Sequence, residues 1–550
     1  MPRQRPNARL PMVLRRSSIP GLGLLLSLLL VCGLLGANAT PGLAQANNDT
    51  LIVAVASDLQ NLDPTLSSAD VYTQEMLTNI YEWLVDYDLS EEADGTLVAD
   101  PNTFVGGLAE RFEWSPDGTK ITFTLRDGLK FSNGDPLTAE AVKFTFDRIF
   151  DQQGVTYGNM SMAAVPDKDH VKLIDEQTIE MTVDTPNTLL LGNMAQFGNS
   201  ILNPAVVEPQ MTTEDPYAHE WLKANTTGTE QGPFVLESWE PGNQWVLARN
   251  PNYWGEPPKL QRIIFKVIPD PSSRLTQLQS GAVDIAYELP TTDILALEGD
   301  PNLQIIRYPS RFVVFLGMNE QVPPFDNKLV RQAISYAIPY ETIVNEVLNG
   351  YGRQLTSPIP DGTPTHTDEF FVYKQDPEKA KELLTEAGFP DGFETTLAVA
   401  SGNQEGKETA VWVQQSLAEI GITVNIQELP GAAFAEQLQK HELGFFFFNN
   451  WISINNDPFY HLYWLFWSPC CNYTNYSNSD VHQLIEEYTL STDQEARDQA
   501  SLDAQQAIVD DAPWVFLYQP DFLLAMRSNV KGYVFYSTDR FTRYKSLYKE

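Results

Sequence analysis

From Asp376 to Asn450 the chain alternates helix-like and strand-like stretches, and this alternation constrains the fold more than any other feature. Asp376-Pro377 predicts a helix start, with a capping carboxylate followed by proline at the first helical position. Ala380, Leu383, Leu384 and Ala387 form its apolar stripe, and Gly388 closes it. Strands are predicted at 395–400, 423–429 and 443–450, separated by a helix ending at Gly421 and a short one at 434–439. Strands that alternate with helices form a sheet covered by helices, so the predicted class is α/β. The run Phe445 to Phe448 then reads as a central strand buried on both faces.

The first 46 residues belong to a different kind of segment. Arg3, Arg5, Arg9, Arg15 and Arg16 form a basic start, residues 22–35 are apolar, and small residues lead to Ala44-Gln45-Ala46. This is the pattern of a secretory signal peptide, with cleavage expected after Ala46. The apolar run falls short of the ~20 residues that span a bilayer. Val31 before Cys32 is bulkier than expected at a lipidated cysteine, and Arg15-Arg16 sits in poor context for twin-arginine export. The expected compartment is therefore the periplasm. Processing removes five arginines and no acid, taking the formal charge from −36 to −41. So acidic a surface repels phosphate backbones, and no nucleic-acid partner is expected.

About five hundred residues remain, enough for more than one domain. Of the three cysteines only Cys470 and Cys471 survive processing, and they are adjacent. No disulfide framework can hold such a chain together, so its stability must come from its core. The pair itself has two open readings, a vicinal disulfide or buried thiols. Six scattered histidines without zinc-type spacing predict no metal site, and no cofactor is expected. Further strands are predicted at 51–55, 121–126, 234–239, 245–249, 263–268 and 313–317. Thr138 is expected to cap a helix that buries Val142, Phe146, Ile149 and Phe150. A second helix over 329–338 stops at Pro339. The strand-rich character returns from Pro513 onward, which suggests that the chain leaves one lobe near residue 310 and comes back near 513.

In this order along the chain, several segments carry a resemblance. They are Leu62-Asp63-Pro64, Asn79-Ile80-Tyr81-Glu82-Trp83-Leu84, the long stretch from Leu108 to Phe146 and the GPFVLESWEPG run from Gly232. RNPNYWG from Arg249, QSGAVDIA from Gln279 and PPFDNKLVRQAISYAI from Pro323 follow. Together they resemble the extracellular solute-binding proteins of the peptide/nickel/oligopeptide class, family 5. The resemblance implies a two-lobed periplasmic binding protein fold of type II, in the large class with an extra subdomain. Lobe 1 would comprise residues 47–310 completed by 513–550, and lobe 2 residues 311–512. The implied function is the substrate-binding component of an ABC importer, a monomer that carries a small solute or peptide to permease subunits in the inner membrane. A sensor, or a nickel or haem carrier of the same fold, is the alternative. No G-x-S-x-G, H-E-x-x-H or P-loop pattern supports a secreted hydrolase, so no catalysis is expected.

In open α/β sheets, ligands sit outside the carboxyl ends of strands. The strand over 443–450 delivers Trp451, Ser453, Ile454, Asn455, Asn456 and Asp457 to such a position, and Asn475 and Tyr476 are added as candidate ligand contacts. Amides, an indole and a carboxylate suit a cleft that hydrogen-bonds and stacks. Peptide binders of the family place an aspartate where Ile454 stands, to hold the ligand's amino group. The family's dipeptide binders also take an arginine from the region around Ser401 to Gln404. No arginine lies between Arg353 and Arg497. A peptide held by both charged ends is therefore disfavoured, and a neutral polar solute or a longer peptide gripped through its backbone is expected. Asp457 is expected either to accept a cation or to shape its loop.

Overall fold

The computed structural model describes residues 48–66, 71–92, 95–538 and 541–550. Residues 1–46, expected from the sequence to be a signal peptide, and Cys32 among them lie outside these residues. Among the described residues no helix is long and apolar enough to cross a membrane.

A 14-residue strand, Trp514–Arg527, organises the molecule because it pairs with two different sets of neighbours. Its first half runs antiparallel to Val313–Met318, with Trp514 opposite Gly317 and Phe516 opposite Phe315. Its second half runs antiparallel to Leu303–Pro309, from Asp521 opposite Pro309 to Arg527 opposite Leu303. Beyond the first set lie the strands Phe445–Trp451, Glu394–Ala400 and Thr423–Leu429, the last two parallel. On its other edge the second half pairs with Ile285–Ala286, beyond which lie Thr50–Val55, Arg262–Val267, Gln244–Arg249 and Phe234–Glu240. A four-stranded sheet within residues 109–182 and a three-stranded sheet formed by Val85–Glu91, Leu97–Gly106 and Val534–Tyr536 complete the fold. The predicted strands are all present to within two residues, because each carries the β-branched or aromatic run that a covered sheet requires.

Separate apolar clusters follow the sheets. One gathers residues from 313 to 518, a second residues from 83 to 201 with Tyr460, Val534 and Tyr536, and a third packs around Thr50–Val55 and its neighbours. The phenylalanine run is central as predicted, with Phe445 and Phe446 beside Leu397 and Ala398 on one side and Met318 and Gly317 on the other. Gly317 permits this packing, since a Cβ there would lie 2.2 Å from the Phe446 ring. The Asp376 carboxylate accepts from the Lys379 amide at 2.9 Å, as its Asp-Pro signature predicts. Thr138 precedes its helix in extended conformation, but its side chain makes no capping bond. The four apolar residues assigned to that helix are all buried, so packing holds it.

Cys470 and Cys471 are joined as a vicinal disulfide, which decides between the two readings left open by the sequence. Thiol titration of the denatured, unreduced chain lacking residues 1–46 should accordingly detect no free thiol. A count of two would contradict the bond.

Asp63 of the Leu-Asp-Pro motif is fully buried. The Arg148 guanidinium donates to it at 2.9 Å, and its other oxygen lies 2.9 Å from His219 Nδ1. Burial pushes the Asp63 carboxyl up, but the His219 hydrogen bond and the Arg148 charge outweigh it and hold the pKa below the ordinary value. The bond to Asp63 in turn raises His219. A raised histidine adds stability that is full below its unfolded value near ~6.5 and is lost as pH rises through the folded value. His219→Gln should therefore cost most stability on the acidic side of neutrality. Urea unfolding of wild type and variant should converge as the pH is raised past the folded value, and a gap that widens with pH would refute the assignment.

Candidate functional site

The strand Phe445–Trp451 ends where the cluster of residues 313–518 meets the cluster of residues 83–201. Trp451, Tyr463 and Trp464 pack against both, and Ile454 against the second. The loop between Trp451 and Asp457 is thus anchored on one core and faces the other.

Polar contacts stitch it across this seam. Asn455, 6% exposed, donates through Nδ2 to Leu189 O at 2.9 Å and Asn193 Oδ1 at 3.0 Å. The Ile454 carbonyl accepts from Tyr87 Oη at 3.2 Å and Gln196 Nε2 at 3.1 Å. Asn456 Nδ2 reaches Asn102 Oδ1 at 2.8 Å. Ser453 is fully buried, and its hydroxyl holds the turn through the Asn455 backbone. Trp451 Nε1 donates to His461 Nδ1 at 3.3 Å.

Asp457 shapes the loop. Its Oδ1 caps the helix Pro458–Leu462 through the Phe459 amide at 2.9 Å and pairs with Arg497 Nη2 at 3.0 Å. With Arg497 as its ion-pair partner, it is already neutralised. Asn475 and Tyr476 do not join this group. Asn475 Nδ2 bonds Asn319 Oδ1 at 2.9 Å and Tyr476 Oη bonds Asp511 Oδ2 at 2.9 Å. Asn319 bonds the chain at Gly444, at the start of the site strand. That end lies six residues from Trp451, or roughly 20 Å at ~3.3 Å per residue.

Sequence reasoning missed Arg311. It stands just before Val313–Met318, outside the arginine-free interval, yet the fold brings it to the centre of the seam. Its guanidinium donates to Asn456 Oδ1, to Ser453 O at 3.4 Å and to Ser537 O at 3.1 Å. The side chain is buried, and burial lowers its pKa to about 10. His461, also buried beside it, is pushed down to about 3 by desolvation and then by the Arg311 charge, so it is neutral. Only the pairing of strands across 140 residues of sequence could have revealed this placement.

A cavity of about 370 Å³ opens on the 83–107 side of the seam. Trp83, Tyr87, Tyr253, Trp254 and Tyr536 form its aromatic walls, with Glu82, Asp86, Arg543 and Lys545 among them. Asp86 pairs with Arg543 at 2.6 Å, and Glu82 accepts from Tyr253 Oη at 2.7 Å. Tyr87 lines this cavity and also donates to the Ile454 carbonyl.

The loop seats closely on the helix Leu190–Met194, where a Cβ at Gly192 would lie 2.6 Å from the Asn455 carboxamide. Gly192→Ala should therefore overpack the seam and cost roughly 1–3 kcal/mol in urea unfolding. An unchanged midpoint would mean that the loop is not seated there in solution.

Comparison with known proteins places this geometry in a family. Residues 103–470 match the model of the bacterial extracellular solute-binding proteins, family 5 middle. The chain is 33% identical over 497 residues to the "Probable D,D-dipeptide-binding periplasmic protein DdpA" of Escherichia coli (strain K12), covering 90% of this chain and 92% of that one. It is 28% identical over 511 residues to heme-binding protein A of Haemophilus influenzae, covering 89% and 90%. Among solved structures, the periplasmic binding protein DppA from Helicobacter pylori in complex with the peptide STSA superposes with a TM-score of 0.79 at 28% identity. That match covers 91% of this chain and 98% of the other. The fold is that of the two-lobed periplasmic binding proteins, and the chain belongs to the bacterial extracellular solute-binding proteins of family 5.

Proposed function

We propose that this chain captures a small polar solute, of the peptide class or close to it, at the seam around Trp451 to Asn456. It then presents the closed form to the permease subunits of an ABC importer. The observation that carries this reading is the loop itself, anchored in one core and hydrogen-bonded to the other through Asn455, Ile454 and Asn456. A solute entering there touches both sides at once, so it favours the closed arrangement by its differential contacts. The names of the relatives support the peptide class, since one is described as a D,D-dipeptide binder and another holds the peptide STSA.

Lobe 1 is proposed to comprise residues 47–310 with 513–550, and lobe 2 residues 311–512. Supporting this division, the strand Trp514–Arg527 changes partners between Tyr518 and Asp521, where Val313–Met318 also gives way to Leu303–Pro309. The hinge would then lie at 309–313 and 518–521. The protein is proposed to act as a monomer in the periplasm after removal of residues 1–46, without turning its solute over.

Mass spectrometry of solutes extracted from the purified protein should yield a bound small molecule. Adding it back at 100 times its Kd should stabilise the stripped protein by about 2.7 kcal/mol. Trp451→Ala should abolish most of that shift while leaving the fold intact. Absence of any stabilising solute, among peptides, opines, sugars and metal ions, would sink the reading.

A further inference from the structure

The buried guanidinium of Arg311 lacks what a buried charge ordinarily has. Its side chain lies at the seam with 3% of the residue exposed, and its three hydrogen-bond partners are all neutral, two backbone carbonyls and a carboxamide oxygen. Among the described residues no carboxylate pairs with it, whereas Arg148 pairs with Asp63, Arg331 with Glu320, Arg497 with Asp457 and Arg543 with Asp86; Arg274 also lacks a carboxylate, but four backbone carbonyls accept from it. Removing a cation from water without an anion is costly, and chains keep such a group where something else supplies the counter-charge.

A second donor stands beside it. His461 Nδ1 accepts from Trp451 Nε1, so the single proton of the neutral ring sits on Nε2. That Nε2 is fully buried and has no hydrogen-bond partner. The two groups hold the same loop, His461 through Trp451 and Arg311 through Ser453 and Asn456, and the Arg311 charge acts on the ring. Among the described residues, neither Ile454 nor Asp457 of this loop supplies a free anion to these two groups. Ile454 has no carboxylate, and Asp457 is already taken by Arg497 and the Phe459 amide.

We propose that Arg311, with His461 beside it, is the seat of an oxyanion group of the transported solute, so that the cargo is an acid rather than a neutral compound. This rests on the solute-binding reading above and specifies its substrate class. The Asn456 carboxamide oxygen and the Ser453 carbonyl occupy the guanidinium now. An arriving carboxylate or phosphate replaces them with two parallel N–H···O bonds, the geometry in which arginine is strongest. Asn456 can then rotate its amide so that Nδ2 turns from Asn102 to the oxyanion. The region without arginine between Arg353 and Arg497 therefore does not leave an acidic ligand unpaired. The cation comes instead from the start of the strand Val313–Met318.

The test uses the mature chain and simple anions as probes. Acetate at tens of millimolar, compared with chloride at equal ionic strength, should raise the melting temperature of the wild type by about 2 °C or more. Arg311→Gln should remove that response, and Arg311→Lys, which keeps the charge but loses the fork, should reduce it at least by half. Phosphate in place of acetate separates the two oxyanion classes, since the larger response names the one the site prefers. Tetra-alanine and its C-terminal amide extend the comparison, with the free acid expected to bind at least tenfold tighter to the wild type and equally to Arg311→Gln. The inference is overturned if neither anion stabilises the wild type, or if both stabilise Arg311→Gln to the same degree. Recovery of a bound solute that carries no acid group also overturns it while leaving solute capture standing. A protein that binds no solute yet responds to acetate through Arg311 would instead fail the importer reading alone.

Discussion

The change of partners along Trp514–Arg527 is the constraint on which the site depends. A strand can satisfy its backbone groups on each edge only once, so the point where it passes from one sheet to the other fixes where the two sheets meet. Tyr518 is the last residue paired to Val313–Met318, and Asp521 the first paired to Leu303–Pro309. Ser310 sits at that junction, where its carbonyl accepts from Gln519 Nε2 at 3.1 Å. Arg311 follows immediately, which is why its side chain emerges at the seam rather than in either core.

The neighbouring order then aims the site strand. Phe445–Trp451 lies antiparallel to Val313–Met318, so its carboxyl end falls opposite Val313, next to Arg311. Phe315 stacks on Trp514 at 3.7 Å between ring centroids and packs on Phe448 of the site strand at 5.1 Å, so one ring ties Val313–Met318 to both of its neighbours. A shift of one residue would turn Trp451 and the loop behind it to the opposite face. The polar seam is therefore a consequence of strand register set in an apolar core. Its hydrogen bonds decide how the loop is held, while packing decides where it is.

Local signals were legible wherever one segment settles its own conformation. Asp376-Pro377, the Phe445 to Phe448 run and the helix face of Val142, Phe146, Ile149 and Phe150 all appear as their residues predict. Thr138 shows the limit of such signals, since its position at the helix start is right and its capping bond is absent. Asn475 and Tyr476 show another. Their composition resembles that of the Trp451 loop, but they follow a chain reversal through the Cys470–Cys471 turn and end beside Asn319, at the far end of the same strand. Polar and aromatic content alone does not say which end of a strand a later segment will reach.

The sequence by itself determined the family, the α/β class, the elements and the loop that follows the central phenylalanine strand, because these depend on periodicity, turn chemistry and motif order within short stretches. The tertiary structure alone decided the electrostatics of that loop. Asp457 was assigned to Arg497, the Ile454 carbonyl to Tyr87 and Gln196, and Arg311 to a seam 140 residues away along the chain. Charge partnership is a matter of distances of a few ångströms between segments remote in sequence, and only the pairing of strands sets those distances.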